Sequence, residues 1–382
     1  MKRLIKYAAL LFALILSSSI IGGCLLAGVS IARRIAGKTE VITESNGNND
    51  ENNFWYWDGD GRLVFRFGNK SVVSSVEVKS GSEQFTASEI NSLDIDIGSA
   101  ELIVEVWEND DIFVEYENIP VDYKFYIEDE TLVIKRKDNI SFVWNVSLDE
   151  TPKLHVSVPA AKLFETITVD KGSGSAKLTG FPAGNVYVDN GSGGLEISKV
   201  KAEKLSLDSG SGGVNISDCR FEKSVFNSGS GSFLVKNCAL GVTAMESGSG
   251  TVILEDVSAK NIRTDAGSGR VEISGVLTGM CEFESGSGSL NVLVYGREED
   301  YNYRTDMGSG SFYLNGKKKD KDYNKEDKRA EHLLVLEAGS GRVYLDFDET
   351  KSLPWNNVTD NLPDNPQDTS SDSTQNGGSY ER

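Results

Sequence analysis

Asp208-Ser-Gly-Ser-Gly-Gly-Val-Asn-Ile216 is followed 19 residues later by Asn227-Ser-Gly-Ser-Gly-Ser-Phe-Leu-Val235, and 19 later again by Glu246-Ser-Gly-Ser-Gly-Thr-Val-Ile-Leu254. Gly-Ser-Gly begins at Gly172, Gly191, Gly210, Gly229, Gly248, Gly267 and Gly286, always at intervals of 19. Two further copies begin at Gly308 and Gly339, after intervals of 22 and 31. A constant period of this kind is the mark of stacked structural repeats. With the first Gly as position 1, position 5 reads Ala176, Leu195, Val214, Phe233, Val252, Val271, Leu290. Position 7 reads Leu178, Ile197, Ile216, Val235, Leu254, Ile273, Val292. In a chain that is 38% hydrophobic, chance would give two such columns about once in a million, so both face a core. Position 10 (Phe181, Val200, Cys219, Cys238, Val257, Val276), position 15 (Val186, Leu205, Ser224, Thr243, Ile262, Cys281) and position 17 (Val188, Leu207, Phe226, Met245, Thr264, Phe283) are looser inward columns.

Residues an even number apart share one face of a strand. Positions 5 and 7 therefore fit one short strand, and 15 and 17 another. The steps from 7 to 10, from 10 to 15 and from 17 to the next 5 are odd, so alternation breaks three times per repeat. Each break is a corner. The repeat predicts an all-β, single-stranded β-helix, a β-solenoid of 19-residue coils stacked at ~4.8 Å. Gly-Ser-Gly occupies one corner, where Gly tolerates positive φ and lets backbones approach closely.

Two residues before each first Gly stands a polar column: Asp170, Asp189, Asp208, Asn227, Glu246, Asp265, Glu284, Asp306, Glu337. It follows inward position 17 directly and is expected to point outward. A solvated row that caps the corner explains it; a weak cation ladder is the alternative, although the Ca²⁺-binding GGxGxD repeat is absent. Cys219 and Cys238 occupy one position in consecutive coils, so they either fill a core column as free thiols or close a disulfide. The corner serines lack partners for nucleophilic chemistry, because the chain has only two His, His155 and His332. No HExxH, CxxC, GxxxxGK[ST] or GxSxG pattern occurs, and no metal or cofactor is expected.

Outward from the repeat, the N-terminus carries Lys2, Arg3 and Lys6, then 22 uncharged residues from Leu10 to Ile31, then Arg33, Arg34 and Lys38. At ~1.5 Å per residue that run spans a bilayer, so a single membrane helix is the leading reading. Ile21-Gly-Gly-Cys24 also resembles a lipobox that would lipidate Cys24, and a cleaved signal peptide is a third reading. Six basic residues and no acids fall within residues 1–38, which leaves 33 basic against 58 acidic and a net charge of −25. Such a surface repels nucleic acid. An acidic domain behind an anchor suits the outside of a bacterial cell.

Residues 39–54 are polar and acidic and read as a spacer; Trp55-Tyr56-Trp57 reads as a local packing anchor or an interfacial patch. From Leu93 the columns return in weakened form, Leu93-Asp-Ile-Asp-Ile-Gly-Ser-Ala-Glu-Leu-Ile-Val104. Lys124–Ile127 and Thr131–Ile134 flank Glu128-Asp-Glu130 as a β-hairpin. Lys317 to Glu331, with seven basic and five acidic residues, reads as a loop bulging from one coil or a partner-binding finger. The expected division is an anchor (1–38), a linker with a short β segment (39–92), an irregular β cap (93–160), solenoid repeats (161–349) and a disordered polar tail (350–382).

An acidic residue, a spacer residue, Gly-Ser-Gly and an apolar-x-apolar strand together resemble the bacterial putative-adhesin family of β-strand-repeat domains of unknown function. Leu93–Val104, Leu154-His-Val-Ser-Val-Pro159, the Gly172–Gly288 ladder and the final Gly339-Ser-Gly341 coil carry the resemblance, over roughly Leu93 to Phe347. It implies a right-handed β-helix, membrane anchoring, and roles in adhesion or envelope stress, with no catalytic residues to carry over. The leading expectation is a non-enzymatic, single-pass, extracytoplasmic solenoid that meets a cell-envelope component or protein partner. A polymerising scaffold like the bactofilins is the first alternative. A β-helix enzyme acting on polysaccharide is the second, disfavoured because the acids form a uniform column with no basic column beside them.

Overall fold

The structure is a computed structural model. It describes residues 78–136 and 151–353 with their side chains, and the backbone of Val41–Ile42, Trp55–Trp57, Leu63–Phe67 and Lys70–Val73. The expected membrane helix, Cys24 and the polar tail lie outside the described residues. Among the described residues no helix is long and apolar enough to cross a membrane. The chain divides into two compact units, Met1–Glu77 with Ile140–Glu150, and Val78–Asn139 with Thr151–Arg382. In the first, the four strands form an antiparallel sheet in the order 41–42, 70–73, 63–67, 55–57. Val41–Ile42, within the expected spacer, is thus a paired strand.

The second unit is a β-solenoid. Pro182–Asn190 pairs in parallel with Lys201–Ser209, and Leu195–Ser198 with Val214–Ser217, each residue facing the one 19 positions on. The same step continues through Arg220–Ser228 and Ala239–Ser247. Columns 5, 7, 15 and 17 are all buried. The polar members of column 15 are satisfied in place: Ser224 Oγ donates to the Leu240 carbonyl at 3.0 Å, and so does Thr243 Oγ1 at 3.2 Å. Position 12 adds a further inward column, Ala183, Ala202, Phe221, Leu240 and Ala259.

One corner follows position 8. There the backbone turns left-handed at Lys199, Asp218, Asn237 and Asp256, with φ between 54° and 56°. Asn and Asp tolerate that region better than other residues with a side chain, and Gly180 holds the same place one coil earlier. At Asp256 the register slips, so Val257 pairs with Gly275 and Ala259 with Leu277. The expectation that Val276 points inward is therefore corrected: Leu277 is fully buried and Val276 only half-buried.

Both ends depart from sequential stacking. The coil of Ser92–Gly98 and Glu101–Trp107 lies between two others: Phe164–Lys171 with Ala176–Thr179 on one side, Thr131–Arg136 with Lys153–Pro159 on the other. Its columns align as the sequence predicts, Leu93 with Ile167, Ile95 with Val169 and Leu102 with Ala176. The expected hairpin forms, Ile127 facing Leu132. Val78–Phe85 pairs antiparallel with Ile112–Pro120, which pairs antiparallel with Lys153–Pro159, and these strands cover that end.

At the other end the chain overshoots. Tyr301–Asp306 and Ser311–Leu314 form the outermost coil. His332–Ala338 and Arg342–Phe347 return to lie between it and the coil of Met280–Ser285 and Ser289–Val294. Residues 317–331 are the path of that return, not a simple bulge. They also cover the outer edge. Tyr303 and Lys325 exchange backbone hydrogen bonds at 3.2 and 2.9 Å. Thr305 N–H donates to Asn324 Oδ1 at 3.1 Å. Tyr323 stacks on Tyr303 with centroids 6.0 Å apart.

Candidate functional site

The Gly-Ser-Gly corners stack into one seam along the solenoid. A Cβ added at the first Gly of each copy would lie 2.5–3.0 Å from the carbonyl oxygen of the glycine stacked against it. At the third Gly it would lie closer still. None of these corner glycines has a positive φ. The corner thus needs Gly for close approach between coils and not for left-handed backbone, which narrows the expectation from sequence. The seam is bonded throughout: Gly191 N–H donates to the Lys171 carbonyl at 2.9 Å, Ser192 N–H to Gly172 at 3.0 Å, and Gly210 N–H to Asn190 at 2.8 Å.

All nine corner serines, from Ser173 to Ser340, are exposed. Beside them the polar column points outward: Asp170, Asp189, Asp208, Glu246, Asp265, Glu284, Asp306 and Glu337 are exposed and Asn227 half-buried. Asp96 extends it by pairing with Asp170. Burial raises the Asp170 carboxyl above its ordinary range, and the charges of Asp96, Asp189 and Asp94 raise it further. Asn227 interrupts the like charges and donates to Asp208 Oδ1 at 2.5 Å. Among the described residues no group of three His, Cys, Asp or Glu is placed to hold a metal ion.

The profile of the Toastrack DUF4097 family matches residues 90–346. The chain belongs to this family. No curated protein matches it in sequence. Among solved structures, a putative lipid binding protein from Parabacteroides distasonis is 16% identical, with 70% of this chain and 98% of that one covered and a TM-score of 0.45. A putative adhesin from Bacteroides fragilis is 12% identical, over 71% and 97%, with a TM-score of 0.38. A putative cell adhesion protein from Clostridium sporogenes is 14% identical, over 71% and 100%, with a TM-score of 0.24.

Behind its exposed seam this Toastrack domain carries a column that the sequence reading missed. Position 19 lies two residues after inward position 17 and is buried as well: Lys171, Asn190, Ser209, Ser228, Ser247, Ala266 and Ser285. Alternation alone pointed to it; the polar side chains concealed it. Cys219 and Cys238 are free, buried thiols, and so is Cys281. Although stacking allows a disulfide, Cys219 Sγ turns to the Ser217 carbonyl and Cys238 Sγ to that of Lys236, both at 3.1 Å. Burial pushes the Cys281 thiol up to about 11 and Cys219 higher, which keeps both protonated and unreactive.

The two His are not brought together. His155 lies on the outer face with Nε2 2.9 Å from Glu105 and Nδ1 3.8 Å from Glu115. His332 Nδ1 accepts from Gly279 N–H at 3.2 Å. Two open grooves mark the surface. One is lined by Ile253, Glu272, Asn291, Leu293 and Asp346. The other, near Arg297, Asn315 and Lys325, is crossed by Glu298, whose carboxylate accepts from Tyr303 Oη and Asn315 Nδ2 at 3.1 and 2.8 Å.

Proposed function

We propose that this chain is a non-enzymatic β-solenoid anchored in the membrane by Leu10–Ile31, coiled right-handed, and displayed outside the cell for adhesion or the response to envelope stress. The observation that carries the reading is the pair of covered ends. At one end Val78–Phe85 runs antiparallel to Ile112–Pro120, and at the other the 317–331 segment bonds to the outermost coil, so neither end presents the bare parallel edge of a full coil to a second copy. The sides of the solenoid present columns of hydroxyls and carboxylates and shallow grooves, and the nearest things to catalytic bases, His155 and His332, are engaged in local contacts. The covered ends also weigh against a polymerising scaffold. The acidic balance after residue 38 favours a cell-envelope component or a protein as partner, and disfavours nucleic acid. Lipidation at Cys24 would serve the same tethering role.

Protease treatment of intact cells, followed by detection of residues 350–382, tests the placement. Loss of that segment on intact cells is expected. Protection until lysis would put the solenoid inside and overturn the adhesion reading.

A further inference from the structure

Lys171 is the one charged side chain among the described residues that is fully buried, with 1% of its surface exposed. It forms no ion pair among those residues. Its Nζ instead abuts the carboxamide of Asn190, one coil on, donating to Oδ1. Asn190 is 0% exposed. Its Nδ2 donates to Ser209 Oγ at 2.9 Å, so the amide plane is held from the far side. On the near side Lys171 pairs with Gly98, which carries no side chain. Burial lowers the Lys171 pKa, which favours the free amine over the ammonium.

We propose that Lys171 and Asn190 join in an intramolecular isopeptide bond, a covalent rung between two neighbouring coils. The free amine Nζ adds to Cγ of Asn190. The Cγ–Nδ2 bond breaks, one amine proton passes to the departing nitrogen, and ammonia leaves. No oxidant or outside reactant is needed. Ser209 Oγ accepts from Nδ2 and holds the departing nitrogen in place, while the proton passes to it directly from Nζ. Holding amine and amide together in a dry site replaces the encounter that makes such aminolysis slow in water. A second nucleophile competes for the same carbon, the backbone nitrogen of Gly191, which would close a succinimide with the same loss of ammonia. That N–H is engaged with the Lys171 carbonyl at 2.9 Å, so the seam restrains it while the lysine is free to react.

Peptide mapping by mass spectrometry of the full chain, purified in detergent, tests the bond. The expected result is a branched peptide joining the segments that contain Lys171 and Asn190, lighter than their sum by one ammonia. Lys171→Arg and Asn190→Ala should each yield only linear peptides. Ser209→Ala should leave a larger unlinked fraction than the natural chain. Linear peptides alone in the natural chain would overturn the proposal. So would loss of ammonia at Asn190 that persists in Lys171→Arg, since that is the succinimide. If either variant fails to fold, the map of the natural chain still decides.

Discussion

At Gly231 an added Cβ would press on the carbonyl oxygen of Gly212, the glycine stacked on it in the preceding coil. Gly231→Ala should therefore lower stability by about 2–4 kcal/mol, because backbone must move in a closely packed stack. Ser230→Ala, at the exposed centre of the same corner, should change it by no more than about 0.5 kcal/mol. Urea unfolding midpoints compare the two; equal losses would show that the hydroxyl, not the close approach, holds the corner. Asp170 calls for a different test. Its folded-state pKa is raised, so folding is favoured below the unfolded value and that advantage is lost as pH rises through the folded one. Asp170→Asn should stabilise at neutral pH, by about 0.5 kcal/mol or less at so exposed a site, and the gain should vanish once the pH falls below the carboxylate range. Thermal melts at both pH values read it; a gain that persisted in acid would rule out charge repulsion as its source. The inward columns were readable at this scale because their members are apolar. Lys171 and Asn190 were not, because polarity at an inward position looks like a surface residue until alternation is enforced.

The short strand at positions 5 to 8 and the corner after it were also legible, but the corner expected between positions 10 and 15 is not there: one strand, such as Lys201–Ser209, runs through it, and alternation shifts inside that strand. The order of the coils was not legible. Each repeat presents the same columns to its neighbours, so the sequence pattern does not distinguish one pairing partner from another. The long interval before Gly339 was the one visible trace of the overshoot, and its charged residues made it resemble a surface loop. The structure shows those residues covering the edge of Tyr301–Asp306. Replacing Tyr323 and Asn324 together by Ala removes the ring stacked on Tyr303 and the acceptor for Thr305 N–H. Amide exchange at Tyr301–Asp306 should then rise at least about tenfold, the equivalent of about 1.4 kcal/mol of lost protection. Unchanged exchange would mean that the returning segment does not close the edge.

For the molecule as a whole, covered ends and a net charge of −25 beyond residue 38 both oppose self-association. Electron microscopy of the purified protein should show separate particles at low and moderate salt. Filaments would restore the scaffold reading. The overshoot has one more consequence, for load. A chain whose last coil were outermost could be peeled from its C-terminus one ladder at a time. Here the segment that leads into residues 350–382 is Arg342–Phe347, hydrogen-bonded on one side to Ser289–Val294 and on the other to Ser311–Leu314. A pull on the C-terminal tail is met by two ladders in shear at once, so that end of the domain resists being drawn out strand by strand.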